Sequence, residues 1–371
     1  MFCLPFMTVI QNVAAQIGSV TGRGIAANLR RHYPKPLLWV AVALLLVANV
    51  INLGADLSAM GAAMDMLMPG PILAYTLGFG LLCMLLEIFL SYERYAAVLK
   101  FTTLSLFAYV AVVFTVHIPW GEAIRSLLIP RVEWTGAFAT GFVAILGTTI
   151  SPYLFFWQAA QEIEEEKRHH AKPLYVSPRE AGPEVKRIRQ DTLVGMVFSN
   201  VVSIFIVFAA AATLHANGVT TIQTASQAAQ ALQPVAGRFA FLLFAIGIIG
   251  TGLLAVPVLA GSAAYGVSEM LGRPASLDAK PARAKLFYAT IVVTTLAGAL
   301  LQFIGVNPVR ALYWSAVING VLAAPLMAIM MLIVANPKAM GHLTLGRIGT
   351  ALGWAATAIM AVATILFFVT L

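Results

Sequence analysis

Ten stretches of apolar residues divide this chain, at 1–17, 37–64, 71–90, 95–117, 135–160, 191–214, 238–268, 286–305, 311–335 and 348–371. A helix needs roughly 20 such residues to cross the hydrocarbon core of a bilayer. Only 10% of the residues are charged and 60% are hydrophobic, with a mean hydropathy of +0.88. Soluble domains carry roughly 25% charged residues, so the solvent for most of this chain is lipid. The pattern predicts an all-α polytopic membrane protein with about ten transmembrane helices. The first stretch is short, and Gln11, Asn12 and Gln16 weaken its second half.

Charge alternates from one connection to the next. Arg23, Arg30, Arg31 and Lys35 follow the first stretch, and Arg94 and Lys100 follow the third. Lys167, Arg168, Lys172, Arg179, Lys186, Arg187 and Arg189 crowd the connection at 161–190. Arg273, Lys280, Arg283 and Lys285, and then Lys338 and Arg347, continue the set. Only Arg125, Arg131, Arg238 and Arg310 fall between the other pairs of stretches. The positive-inside rule makes the first set cytoplasmic. It also explains the net charge of +8 and the pI near 9.6 without nucleic acid, which is not expected as a partner. The same rule places Met1 outside. A further helix upstream would return the N-terminus to the cytoplasm, so an N-terminally truncated chain is expected. Residues 1–15 lack the basic start and small-residue cleavage site of a secretory signal. Cys3 and Cys83 lie in apolar stretches without metal-ligand spacing and read as buried hydrophobes.

Polar groups inside a span are costly and mark partners or cavities. Asn49, Asn52 and Asp56 share one helical face in the second stretch, and Asp56 is an acid at mid-span. It reads as part of an ion path, or as a carboxylate satisfied by neighbouring helices. Asp65 and Glu87 lie nearer the ends of their spans, where snorkelling accounts for them. In the fifth stretch, residues 147–158 read Gly-Thr-Thr-Ile-Ser-Pro-Tyr-Leu-Phe-Phe-Trp-Gln. Proline removes a helical hydrogen bond, so the helix either kinks at Pro152 or unwinds there. An unwound stretch is tolerated at this depth only where it is packed in protein or lines a cavity. Discontinuous helices of this kind hold the cargo in inverted-repeat transporters. In the ninth stretch, Asn319 either offers an amide oxygen to a cation or bonds across helices. Gly247, Gly250, Gly252, Gly261 and Ser262 of the seventh read as helix packing. Glu162 and Glu164 to Glu166 read as a solvated helix end, and the adjacent His169 and His170 cannot share one face for a metal. No nucleophile elbow, HExxH or phosphate loop is present, so neither an enzyme nor a cofactor is expected.

With these residues in view, the chain resembles the Nramp family of divalent metal transporters over nearly its whole length, and most of all its magnesium-transporting branch. The resemblance rests on Val20-Thr21-Gly22-Arg23-Gly24, Asp56-Leu57, residues 147–153 around the break, and Asp191-Thr192. It implies a LeuT-like fold of two inverted five-helix repeats. Residues 1–117 would be the remainder of the first repeat, 135–335 the second, and 348–371 an additional helix. The metal would sit between the family's first and sixth helices. The first stretch here corresponds to the family's second helix, so the helix with its metal-binding carboxylate is expected upstream.

Within the sixth helix, the family's metal-binding methionine corresponds to Ser151. Two family histidines correspond to Tyr153 and Gln158, and a further acid to Ala59. Hydroxyls and carbonyls suit hard cations, whereas a thioether suits softer ones. The expectation is therefore Mg²⁺ or Mn²⁺ transport in a bacterial inner membrane, with Thr148, Ser151, Tyr153 and Asn319 at the metal. Asn49, Asn52, Asp56 and Gln158 would line the path, and membrane lipid would surround it. Proton coupling is expected to be weak or absent. The competing readings are a LeuT-like carrier of amino acids or other small organic solutes, and a non-transporting truncated product.

Overall fold

The computed structural model describes residues 3–90, 94, 97, 104, 107–129, 135–230, 237 and 240–370. Nine elements among them are long and apolar enough to cross a membrane. The first are α1 (Cys3–Thr21), α3 (Lys35–Leu67) and α4 (Ile72–Phe89), with a short amphipathic α2 (Ile25–His32) between the first two. The expected span at 95–117 lies partly outside the described residues, and its end forms α5 (Phe107–Thr115). After α6 (Trp120–Leu128) comes a pair, α7 (Gly136–Thr149) and α8 (Pro152–Arg168), that together cross once. Then follow α9 (Ala181–Thr213), the one-turn α10 (Ala225–Ala229), α11 (Ala240–Leu271), α12 (Lys285–Leu300) and α13 (Pro308–Val334). The short α14 (Pro337–Met340) leads into α15 (Arg347–Thr370).

Element ends differ from those read in the sequence where charged residues continue a helix into water. α8 runs to Arg168 and α9 starts at Ala181, so two helical extensions occupy most of the expected connection at 161–190. Hydropathy reports where a helix meets lipid, and a solvated charged turn is as helical as an apolar one. Arg187 ties these extensions together, donating to Glu184 on α9 at 2.8 Å and to Glu162 on α8 at 3.0 Å.

The basic connections converge on one face, as the charge rule requires. Backbone amides of Leu174 and Tyr175 donate to the carbonyls of Ser19 and Val20 at the end of α1. The Tyr33 hydroxyl reaches the Leu332 carbonyl at the end of α13. On the opposite face, Ser58 of α3 bonds Gln302 just after α12, and Asn307 donates to the Gln223 carbonyl.

Of the three buried clusters among the described residues, two enclose the broken helix. One joins α1, the first half of α3, α7, α8, α13 and α15. The other joins the second half of α3 to α4, α8, α11 and α12. α3 and α8 contribute to both, and α7 and α8 are thereby held at the centre. Small residues permit the closest crossings. A methyl group on Gly147 would lie 2.0 Å from the Ala316 carbonyl oxygen, and one on Gly320 would lie 2.5 Å from that of Val143. α7 and α13 therefore cross backbone on backbone. In the same way α1 meets α8 where Gly18 lies against the Ala159 carbonyl. The expected packing role of the α11 glycines holds at Gly252, against Met60, and at Gly261, against Trp157.

Candidate functional site

The choice between a kink and a break is resolved at Ile150 and Ser151. α7 closes at Thr149, both intervening residues adopt non-helical backbone, and α8 opens at Pro152. Proline suits that first helical position because its missing N–H has no intrahelical acceptor there. The buried Ser151 hydroxyl donates to the Gly147 carbonyl at 2.6 Å, and the Ile150 amide donates to Leu146 at 2.7 Å. These bonds satisfy two carbonyls at the end of α7. No backbone amide closes onto the Thr149 or Ile150 carbonyl among the described residues. The break thus leaves carbonyl oxygens, and the acceptor lone pairs of Ser151, beside the start of α8.

Asp56 faces this region from α3. It is half-buried, and among the described residues no hydrogen bond or ion pair reaches its carboxylate. The half-buried Tyr153, in the first turn of α8, lies within electrostatic range of Asp56 and beside Ser151. Ser151, Tyr153 and Asp56 are therefore brought together. The Thr148 side chain is not, being exposed, although its carbonyl lies 3.4 Å from the Ser151 hydroxyl.

The three asparagines hold helices. Asn52 of α3 and Asn319 of α13 form a reciprocal amide pair, at 2.8 Å in one direction and 3.1 Å in the other. Asn319 therefore takes the second of its two readings, bonding across helices. The pair lies one residue from the Gly320 crossing and so registers α3 and α13 against the break. Asn49 donates to the Leu259 carbonyl at 2.8 Å and to the Ser262 hydroxyl at 2.7 Å, joining α3 to α11.

Gln158 continues a polar chain toward the basic connection at 161–190. Gln11 on α1 donates to Gln158 at 3.2 Å, and Gln158 donates to Glu162 at 3.0 Å. Glu162 in turn accepts from Arg187. The structure corrects the reading of Glu162 and Glu164 as solvated, since both are buried. Glu164 accepts from the Tyr265 hydroxyl at 3.0 Å and from Ser276 at 2.9 Å. The tertiary partners lie about 100 residues away in sequence, so the acidic run alone gave no sign of them. Glu87 is corrected too. It does not snorkel but is 3% exposed, and among the described residues neither carboxyl oxygen is hydrogen-bonded. It lies against Gly261 of α11.

The Val-Thr-Gly-Arg-Gly segment also gains a structural reason. Gly22 adopts φ +61°, a left-handed turn that glycine tolerates, and a side chain there would strike Pro173. Glu269 accepts from the Ala27 amide at 3.2 Å, satisfying the N-terminus of α2. A side chain at Gly24 would fall on that carboxylate. No signal within the segment pointed to Glu269, which arrives from the end of α11.

Comparison with known proteins agrees with this architecture. The chain is 24% identical to the divalent metal cation transporter MntH of Klebsiella pneumoniae over 365 residues, covering 95% of this chain and 81% of that protein. It is 24% identical to the MntH of Deinococcus radiodurans over 367 residues, covering 93% and 76%. The crystal structure of a variant of the Eremococcus coleocola manganese transporter superposes on all of this chain and 80% of that one, with a TM-score of 0.75 at 16% identity. The Nramp profile, described as natural resistance-associated macrophage protein-like, matches residues 1–370. This chain, with its LeuT-like helical fold and central broken helix, belongs to the Nramp family of divalent metal transporters.

Proposed function

We propose that this protein carries Mg²⁺ or Mn²⁺ in preference to softer divalent ions, at the junction of α7 and α8. The observation that carries the reading is the break itself, with its unclosed carbonyls at Thr149 and Ile150 beside the buried Ser151 hydroxyl. Oxygen donors suit hard cations, and Mg²⁺ keeps several of its waters, so it asks for few protein ligands. In this reading Ser151 and the neighbouring carbonyls, including that of Thr148, meet the ion. Tyr153 orders the approach and Asp56 supplies the negative charge. Asn52 and Asn319 fix the helices that frame the site, Asn49 ties α3 to α11 beside it, and Gln158 lines the route. The relatives named for divalent metal and manganese transport support the cargo class.

Proton coupling is weak in this reading. Neither Gln158 nor Ala59 titrates, and tyrosine has a reference pKa of about 10, outside the working range of a relay.

The test is uptake by the 371-residue chain in liposomes, with Mg²⁺, Mn²⁺ and Cd²⁺ offered singly and in competition. Ser151→Met replaces a hydroxyl by a thioether, so Cd²⁺ competition should rise and Mg²⁺ uptake should fall. Unchanged Mg²⁺ uptake and unchanged Cd²⁺ competition in that variant would remove Ser151 from the site. Uptake of an amino acid without any metal flux would overturn the metal reading altogether.

A further inference from the structure

The cytoplasmic connection between α11 and α12 frames a cavity of about 510 Å³ that takes no part in the site described above. Arg273, Arg283 and Lys285 line it, together with Leu271 at the end of α11 and Leu286 in the first turn of α12. None of the three cationic side chains is held in an ion pair or hydrogen bond among the described residues. The connection's acid, Asp278, lies instead beside Arg168 at 3.9 Å, and Glu164 takes Ser276. α12 begins at Lys285 with no side-chain cap, so its first amides face the same region. An uncapped helix start favours an anion there.

The cavity also opens onto an apolar track. Leu286, Val293, Leu296 and Leu300 recur on one face of α12, and the last three are 64%, 43% and 55% exposed. That face runs from the cationic cavity toward the opposite side of the bilayer. A ligand that matches both parts has an anionic head at the cytoplasmic surface and an apolar tail along the helix.

We propose that this cavity binds the headgroup of an anionic phospholipid, with Arg273, Arg283 and Lys285 on the phosphate and an acyl chain along the α12 track. Basic pockets between spans on the cytoplasmic side have the chemistry for this. The connection is rigid enough to hold such a ligand. Tyr288 donates to the carbonyls of Leu277 and Ala279 at 3.0 and 2.9 Å, and Glu164 of α8 fixes Ser276. A bound lipid would therefore bear on a connection tied directly to the inner half of the broken helix.

The experiment is titration of the purified 371-residue chain in detergent with phosphatidylglycerol, phosphatidylcholine and inorganic phosphate, followed by native mass spectrometry. Each cation near the surface contributes about 1 kcal/mol, so the triple variant Arg273→Gln, Arg283→Gln, Lys285→Gln should bind phosphatidylglycerol on the order of 100-fold more weakly. The single variant Arg283→Gln, altered at an exposed side chain, should lose about fivefold and carries the test should the triple variant fail to fold. A charge-matched control, Lys172→Gln, Lys186→Gln, Lys338→Gln, should bind as the parent does. Equal loss in the control would show a diffuse surface attraction and overturn the site. Equal affinity for phosphatidylcholine, or displacement of phosphatidylglycerol by inorganic phosphate, would overturn the lipid assignment.

Discussion

The backbone crossing of α7 and α13 gives the sharpest structural prediction. In Gly147→Ala, the new methyl would lie 2.0 Å from the Ala316 carbonyl oxygen and 2.3 Å from the Gly320 amide nitrogen. Ordinary contact begins at 3.4 Å, so the helices must part by about 1.4 Å. Both obstacles are backbone, and no side chain can swing aside. Overpacking costs about 1–3 kcal/mol, and a rigid backbone obstacle belongs at the upper end. Alanine returns about 0.5–1 kcal/mol by restricting the unfolded chain, which leaves a net loss of about 2 kcal/mol. Gly141 lies on the same helix, and among the described residues nothing comes within 4 Å of its added methyl. Gly141→Ala should therefore gain about 0.5–1 kcal/mol. Reversible unfolding of both variants in mixed micelles measures the difference of about 3 kcal/mol. Because Ser151 bonds the Gly147 carbonyl, metal uptake should fall in Gly147→Ala and persist in Gly141→Ala. Equal stability of the two variants would refute the crossing.

The Asn52–Asn319 pair should show a coupling of about 0.6–1.7 kcal/mol in a double-mutant cycle with alanine. A cycle that closes with no coupling would mean that the amides do not pair in the membrane. Glu87→Met replaces a buried carboxyl that has no hydrogen-bond partner among the described residues with an apolar chain of similar length, and should stabilise the protein by about 1–3 kcal/mol in the same unfolding assay. Destabilisation would reveal a partner for Glu87. In liposomes with a pH-sensitive dye inside, Mg²⁺ entering down its gradient should acidify the lumen little. Robust metal-dependent acidification that is lost in Asp56→Asn would show that a single acid suffices for coupling.

The sequence by itself determined that the chain lives in lipid, how its basic residues alternate between connections, and where its central helix is weakest. These follow from local causes. Apolar length sets a span, the distribution of Lys and Arg sets which connections are basic, and Pro152 after Gly147 forces either a kink or a break; the fold has the break, whereas Pro257 and Pro325 stay inside continuous helices. Tertiary structure decided which polar groups are free for function. Asn49, Asn52 and Asn319 present the same amide in the sequence whether they hold a cation or one another, and only the packing of α3 on α11 and α13 commits them to helix contacts. Glu162 and Glu164 look solvated in a charged run, yet Arg187, Tyr265 and Ser276 arrive from distant elements and bury them. Glu87 looks close enough to an interface to reach water, but α4 turns it inward against α11. The physical reason is that the cost of a buried polar group depends on its partners, and those partners are supplied by long-range contacts that no local pattern records.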